Sequence, residues 1–564
     1  MRNSTFSPER KDGIKKIRGT LEGITLVILL IIVIKALFSF AEYEEFDSTE
    51  LINNQDTGFI ALSYFGVDRS GSETLISDER LEEQLKALKD NGYVTITQKD
   101  IMDYYLKGKT LPPKSLFLLF EDGRRDTAIF SQKILEEYNL KATMLTYADK
   151  LEKADTKFLK AEDLLKLRDT SYWELGTNGY RLEYINVFDK ASNYIGRLTP
   201  IEFAEVASSI SVDYNHYLMD YIRDEYNIPI ESYEEMKSRI NSDYEALSTV
   251  YTEELGEVPK LYALMHSNTG QFGTNAKVSE INGALIKDSF SMNFNREGYS
   301  LNSRESSIYD LTRIQPQAYW STNHLLMRIW NDTKSDIDFI VGDEKKASKF
   351  QQISGKAEYK DDDIILTSLP EGTGILKLLG SDNYKNIKVS TKLNGNVIGS
   401  QAIYLRANED QSSSICVQLM NNVINIIEIS QGKKNVIFSL NLNENRDRKE
   451  EEKFDIKDSG SRDIEIELIS DKITLKVDGA IIVKDLEIKD DLEGSVYLES
   501  AWGEYVYSER KIADDVYDGI FKELKITDIN DDELYDNSLK GIDRVIYSIK
   551  NYFNKTVDWF IKYL

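Results

Sequence analysis

The segment Leu118-Leu119-Phe120-Glu121-Asp122-Gly123 sets two adjacent carboxylates and a glycine at the end of an apolar run, Ser115 to Phe120. Such a run reads as a buried strand. Acids at its end are costly unless they bind a ligand, move protons or sit in an ion pair. Arg124 and Arg125 follow at once and offer the structural escape, a neighbouring ion pair. Of the three histidines, His266 and His324 fall where strands are expected, at the end of Leu261 to Met265 and at the entry to Leu325 to Trp330. A histidine there can ligate a metal or act as an acid. The alternative is a hydrogen-bonded structural residue, as expected for His216 on a helix.

These side chains need a scaffold. Strand patterns at Phe59 to Tyr64, Tyr93 to Thr97, Ser115 to Phe120, Ala142 to Tyr147 and Trp173 to Leu175 alternate with helical patterns. One such helix starts at the N-cap Ser77 and stops at Asn91-Gly92. Repeated β-α alternation implies a parallel sheet, open or closed into a barrel, with function at the C-terminal strand ends. Glu121, Asp122 and Asn178 lie at such ends. A helical insert is expected at about 200–255, with Leu325 to Trp330 as the last strand.

From residue 58 to 334 the chain resembles polysaccharide deacetylases of the NodB-homology type, which implies a deformed (β/α) barrel. The resemblance rests on Gln84-Leu85, Leu88, Gly92-Tyr93, Leu111-Pro112 and Phe120-Glu121-Asp122-Gly123. It implies Glu121 as the general base and Asp122 as ligand of a divalent, zinc-like metal. The family's second motif survives in its lead, Glu174-Leu175-Gly176-Thr177, but its two histidine positions hold Asn178 and Leu182. Phe65 stands where a further histidine often follows Tyr64. The usual two-histidine, one-aspartate metal site is therefore not intact, since leucine cannot ligate and asparagine is a poor zinc ligand.

Three readings stay open. In one, the domain is a hydrolase with a rebuilt site, in which His266 and His324 join Asp122 as metal ligands or supply the acid. In the second it is a non-catalytic glycan-binding scaffold. Trp173, Tyr180 and Trp320 then stack on sugars while Asn178, Arg181 and Asn268 bond hydroxyls, although the tryptophans suit a core better. In the third, Glu121 and Glu174 act as a glycosidase pair. Glu121 and Asp122 alone suit that poorly, because adjacent strand residues face opposite ways. The first reading is preferred: deacetylation of an exopolysaccharide or cell-wall glycan.

After residue 335 the period becomes two, as in Ile464, Ile466 and Leu468 followed by Ile473, Leu475 and Val477. Many short strands without helices imply an antiparallel β-sandwich over 335–530, with a texture that resembles concanavalin-like and laminin-G-like lectin modules. Residues 531–564 end in an amphipathic helix with the stripe Ile542, Val545, Ile546, Ile549, Phe553, Val557, Phe560 and Leu564. Packing against a domain is its expected role, and lying on a membrane the alternative.

The chain has 564 residues and a net charge of -26, which disfavours nucleic acid as a partner. Its one cysteine, Cys416, allows no internal disulfide. A basic segment, 1–22, precedes the apolar run 23–41, which at ~1.5 Å per residue just reaches across a bilayer core. The expectation is a single-pass anchor with a cytoplasmic N-terminus, a linker at 42–57 and the bulk outside a Gram-positive-like cell. A signal peptide cut near Ser39-Phe40-Ala41 is the rival. Expected partners are a polysaccharide, the membrane and the synthase or export proteins of that polymer.

Overall fold

The computed structural model describes residues 57–153, 155–206, 209–211, 215–263, 275–442, 459–489, 492–503 and 514–563, with 42–46 and a few positions between 15 and 24. Most of the apolar run 23–41 lies outside these residues, and among the described residues no helix is long and apolar enough to cross a membrane.

The first sheet has nine strands, of which seven parallel ones run in order around it: Phe59–Tyr64, Ser115–Phe120, Ala142–Tyr147, Trp173–Gly179, Leu261–Tyr262, Met292–Glu297 and Leu311–Arg313, while Val94–Thr95 pairs parallel with Ser115–Phe120 and Leu301–Asn302 antiparallel with Phe59–Tyr64. The seven are numbered here first to seventh. The seventh returns to the first through Ile314, which bridges Leu62. The Ser63 N–H donates to the Ile314 carbonyl at 2.9 Å and the Ile314 N–H to that of Ala61 at 3.0 Å. The sheet is thus a nearly closed barrel. Its strands are buried on both faces, so they read as apolar runs rather than alternations. Alternate residues still divide. Phe59, Ala61, Phe117, Leu119, Leu145, Phe294 and Leu311 fill the barrel interior, while Ile60, Leu62, Leu116, Leu118 and Met144 pack under the surrounding helices.

Local signals act as expected at Asp78–Asp90, where the Ser77 hydroxyl accepts from the Arg80 N–H at 3.2 Å. The helical insert expected at about 200–255 contains the long helix Tyr233–Leu255, but its strand Asn215–His216 joins Tyr184–Phe188 and Tyr194–Leu198, which precede it, in a small antiparallel sheet. His216 belongs to that sheet, not to a helix.

Leu325 to Trp330 is not the last strand. It lies within the helix Thr322–Thr333, capped by Ser321. The helix is buried around most of its circumference, between barrel and sandwich, and its apolar residues Leu325, Leu326, Met327, Ile329 and Trp330 stand nearly side by side in the sequence, as in a buried strand. His324 accordingly sits in the first turn of a helix, not at a strand end.

The second half is two packed antiparallel sheets. One contains Ser400–Ala407, Ser414–Met420 and Val423–Ser430, the other Ile387–Asn396, Ser459–Ile469 and Asp518–Asp528. Leu366, Leu376, Leu405, Ile426, Ile466, Leu475 and Leu498 lie in the core between them. Cys416 is buried.

His324 fastens this sandwich to the barrel. Its Nε2 lies 2.9 Å from Asp514 and its Nδ1 3.2 Å from Asp518, with the Trp320 ring stacked on it at 4.6 Å. Asp514 also accepts from Tyr319 and from the Trp320 indole, each at 2.7 Å. Burial alone would lower the His324 pKa, but the two aspartates outweigh it and raise it to about 9. The stabilisation is therefore complete below the unfolded value near 6.5 and is lost as pH rises through about 9. Thermal scans of the whole chain should show the melting temperature falling across that window. His324→Gln should melt lower at neutral pH and lack this dependence.

Candidate functional site

The inward alternation carries on past the apolar layers into a polar one at the C-terminal end of the barrel. Glu121 follows Phe117 and Leu119, Ser63 follows Phe59 and Ala61, Tyr147 follows Leu145, and Arg313 follows Leu311. Glu121 and Arg313 are both fully buried. The Arg313 Nε donates to Glu121 Oε1 at 2.9 Å, the Ser63 hydroxyl at 2.5 Å and the Gln315 amide at 3.0 Å. Arg313 also donates to Glu297 Oε1 at 3.0 Å and to the Phe294 carbonyl at 3.3 Å. All three donors take the same glutamate oxygen. Glu121 Oε2 is buried with no hydrogen-bond partner among the described residues.

Burial by itself would raise the Glu121 pKa. The Arg313 charge and the three donors overcome it, so the net shift is downward and Glu121 is an anion at neutral pH. The ion pair expected locally with Arg124 or Arg125 does not form. Arg124 reaches toward Asp126 at 3.9 Å and Arg125 bonds Asp163 at 3.0 Å.

Asp122 is held differently. Its backbone is left-handed, φ 71°, as is that of Gly123, φ 61°. A Cβ on Gly123 would fall 2.6 Å from the Thr146 methyl, so glycine is required there on both counts. The Asp122 N–H donates to Asn178 Oδ1 at 3.2 Å, and the Asn178 amide donates to the Ala263 carbonyl at 2.7 Å. Asn178 thereby ties together the ends of the second, fourth and fifth strands. Asp122 itself is only half-buried. Desolvation pushes its pKa up to about 7, against the pull of Arg124 and Lys150 and with the help of Glu121 and Asp149. The Tyr147 hydroxyl is buried with no hydrogen-bond partner among the described residues, and its pKa is raised well above the ordinary value by burial and by Asp122, Tyr184, Glu121 and Asp149. It remains a protonated phenol.

The remaining candidates disperse. Glu174 lies at the opposite end of the fourth strand, where its carboxylate accepts the Gln98 N–H at 2.9 Å, so it cannot pair with Glu121 as a glycosidase acid. Trp173 is core, with its indole on Gln132 at 2.6 Å, and Trp320 is core at the seam. Neither offers a face to a sugar. His324 is engaged by two aspartates and reaches neither Asp122 nor Glu121 as a ligand or acid. Tyr180 is half-buried just past the fourth strand, and Arg181 sits over its ring and pairs with Glu183 at 3.5 Å and Asp243 at 3.4 Å. His266 and Asn268 lie outside the described residues.

A divalent metal does not fit the donors that are described. Both ends of the Asn178 amide are engaged by backbone, Leu182 has no donor atom, and no group of three or more His, Cys, Asp or Glu side chains could hold an ion among the described residues. Sequence reasoning missed Ser63, Tyr147, Arg313 and Gln315. The first two carried a legible signal, a polar group one step beyond an inward-facing apolar series.

No family model matches the chain. One curated relative is YxkH of Bacillus subtilis (strain 168), a protein assigned to the polysaccharide deacetylases, 26% identical over 101 residues. That match spans 18% of this chain and 36% of the relative. Among solved structures, the Streptococcus pyogenes deacetylase PplD in complex with acetate is 13% identical at TM-score 0.34, over 48% of this chain and 98% of its own. IcaB from Ammonifex degensii is 16% identical at TM-score 0.33, over 46% and 92%. The carbohydrate-binding module CBM66 from Bacillus subtilis is 11% identical at TM-score 0.23, over 32% and 94%. TM-scores below 0.5 carry no argument about chemistry.

Removing one partner of a buried ion pair strands the other, at a cost of about 3–5 kcal/mol. Arg313→Met should lose that much in urea unfolding of the whole chain, and Glu121→Gln in the same background should restore part of it. By sequence, this chain with its nearly closed β/α barrel is similar to a polysaccharide deacetylase.

Proposed function

We propose that this chain is an extracytoplasmic, membrane-anchored protein that hydrolyses acetyl groups from an exported polysaccharide. The observation that carries the reading is the split between two neighbouring acids. Glu121 is fixed as an anion by Arg313, while Asp122 exchanges its proton near pH 7. Paired carboxylates whose surroundings drive their pKa values apart are suited to divided roles in acid–base catalysis. The similarity to YxkH supports the same class of substrate.

In this scheme Asp122 accepts a proton from a water molecule as the water oxygen attacks the acetyl carbon, and the buried Glu121 anion is one of the charges that keep the Asp122 pKa near 7. When the tetrahedral adduct collapses, the C–N or C–O bond to the sugar breaks, Asp122 returns the proton to the departing nitrogen or oxygen, and acetate leaves. The base role passes from Glu121, which is locked, to Asp122. No step here is routed through a metal, because the described donors do not fit one.

Acetate release from acetylated oligosaccharides by the full chain is the test. The rate should rise with pH through about 7 as Asp122 ionises, and should survive chelation of divalent metals. Asp122→Asn should cost about 10²–10⁴-fold, with its unfolding transition unchanged. Equal rates in Asp122→Asn and the natural chain, or new reducing ends in place of acetate, would overturn it. A second reading, a glycan-binding scaffold without catalysis, is favoured by Asn178 and Leu182 at the ligand positions. It predicts binding of the same oligosaccharides, unchanged by Asp122→Asn, with no acetate formed.

A further inference from the structure

Residues 42–46 are fastened to the end of the barrel opposite the mouth. Tyr43 is the centre of the contact. Its N–H donates to the Ser171 hydroxyl at 2.8 Å, and its own hydroxyl donates to the Thr95 carbonyl at 3.1 Å. Its ring meets that of Tyr172 edge-on at 5.9 Å, and the Lys141 ammonium lies 4.9 Å from the ring centre. On one side the Tyr172 hydroxyl donates to the Glu42 carbonyl at 3.2 Å. On the other, Asn139 and Glu44 bond both ways. The Glu44 N–H donates to Asn139 Oδ1 at 3.0 Å, and the Asn139 amide to the Glu44 carbonyl at 2.9 Å.

The partners share one place in the fold. Thr95 pairs with Leu116, early in the second strand. Asn139 and Lys141 come just before the third strand at Ala142, and Ser171 and Tyr172 just before the fourth at Trp173. Parallel strands put all these starts at one end of the barrel, and Asp122 and Asn178 at the other. A six-residue strand such as Ser115–Phe120 separates the two ends by about 20 Å at ~3.3 Å per residue.

The apolar run 23–41 ends one residue before Glu42. Consecutive Cα atoms are ~3.8 Å apart, so a chain that leaves a bilayer at Ala41 is bound to the barrel at its next residue. Turning the mouth onto the bilayer would need roughly six unattached residues between the two. None stands between Ala41 and Glu42.

We propose that residues 42–46 are a strap that holds the starts of the barrel strands at the membrane, so that the mouth opens away from the bilayer and any glycan that enters it comes from the far side. The inference rests on the anchoring through residues 23–41 proposed above and not on the barrel's chemistry.

The test uses the full chain in phospholipid nanodiscs doped with nickel-chelating lipid, which quenches a nearby fluorophore. The fluorophore sits at Asp169→Cys, exposed beside Ser171 at the strapped end, or at Glu152→Cys, exposed at the mouth, in a Cys416→Ser background. At 169 most of the emission should be lost, and at 152 nearly all of it kept. Tyr43→Ala with Asn139→Gly removes the ring and both Glu44 bonds. It should bring the two probes to similar quenching in a chain that stays in the nanodisc. Equal or reversed quenching in the undisturbed strap overturns the orientation and leaves the anchoring standing, and so does a ranking that the double substitution does not change. The reverse order would follow if the bilayer lay against the helix Gly541–Tyr563, whose stripe Ile542, Ile546, Ile549 and Phe553 is exposed instead of packed on a domain, and which is tied to Arg69 and Glu79 past the end of the first strand. A chain that does not enter the nanodisc overturns the anchoring, and the orientation with it.

Discussion

Arg313 and Glu121 face each other inside the barrel with no access to water, and much of the mouth is arranged around that encounter. Taking a carboxylate and a guanidinium out of water costs several kcal/mol per ion. The cost falls as the remaining donors and acceptors find partners. Ser63 and Gln315 complete the shell of one glutamate oxygen, and Glu297 and the Phe294 carbonyl complete that of the guanidinium. These contacts come from the first, second, sixth and seventh strands and the turn after the seventh. The pair therefore locks the barrel where its circle is completed, one layer above the backbone bonds between Ala61, Ser63 and Ile314.

The same stretch of chain then reaches the sandwich. Within residues 313–324, Arg313 and Gln315 hold Glu121, Gln317 donates to the Gln315 carbonyl at 2.7 Å, and Trp320, Ser321 and His324 bond Asp514 and Asp518. The position of Gln315 is thus constrained from both sides. This is a chain of packed contacts rather than a switch, since no second arrangement of the segment is defined. It does give the sandwich a physical role in the barrel: its two aspartates fix the start of the helix that follows the seventh strand.

Much of the barrel could be read directly. Phe59 to Tyr64, Ser115 to Phe120 and Ala142 to Tyr147 were bounded by turn signals and consisted of residues buried on both faces. Period-two alternation marked the sandwich strands Ser459–Ile469 and Lys472–Val477 in the same way. What escaped lacked a distinctive local period. The seventh strand, Leu311–Arg313, is too short to show one, and Thr322–Thr333 carries its apolar residues Leu325 to Met327 and Ile329-Trp330 in a nearly unbroken run that reads as a strand. Glu121 and Asp122 were legible as a costly pair, but the residue that resolves the cost stands 192 positions later. No local pattern announces a partner at that distance. Ser63 and Tyr147 were closer to view, because each follows an inward apolar series at the strand end where function in such barrels resides.

Adjacent acids normally titrate alike unless something separates them. Here the separation follows from the backbone. Glu121 continues the strand's alternation and so points inward to Arg313, whereas Asp122, at φ 71°, leaves the strand and cannot follow it. Each added bond to Glu121 makes its negative charge more permanent, and that charge is among those that raise Asp122. The lock on one acid thus supports the proton exchange of the other. Gly123 makes the arrangement sterically possible by turning the chain within van der Waals reach of Thr146. The expensive ion pair is then more than a support for the barrel: it is one of the charges that bring a half-buried aspartate at the barrel mouth to titrate near neutrality.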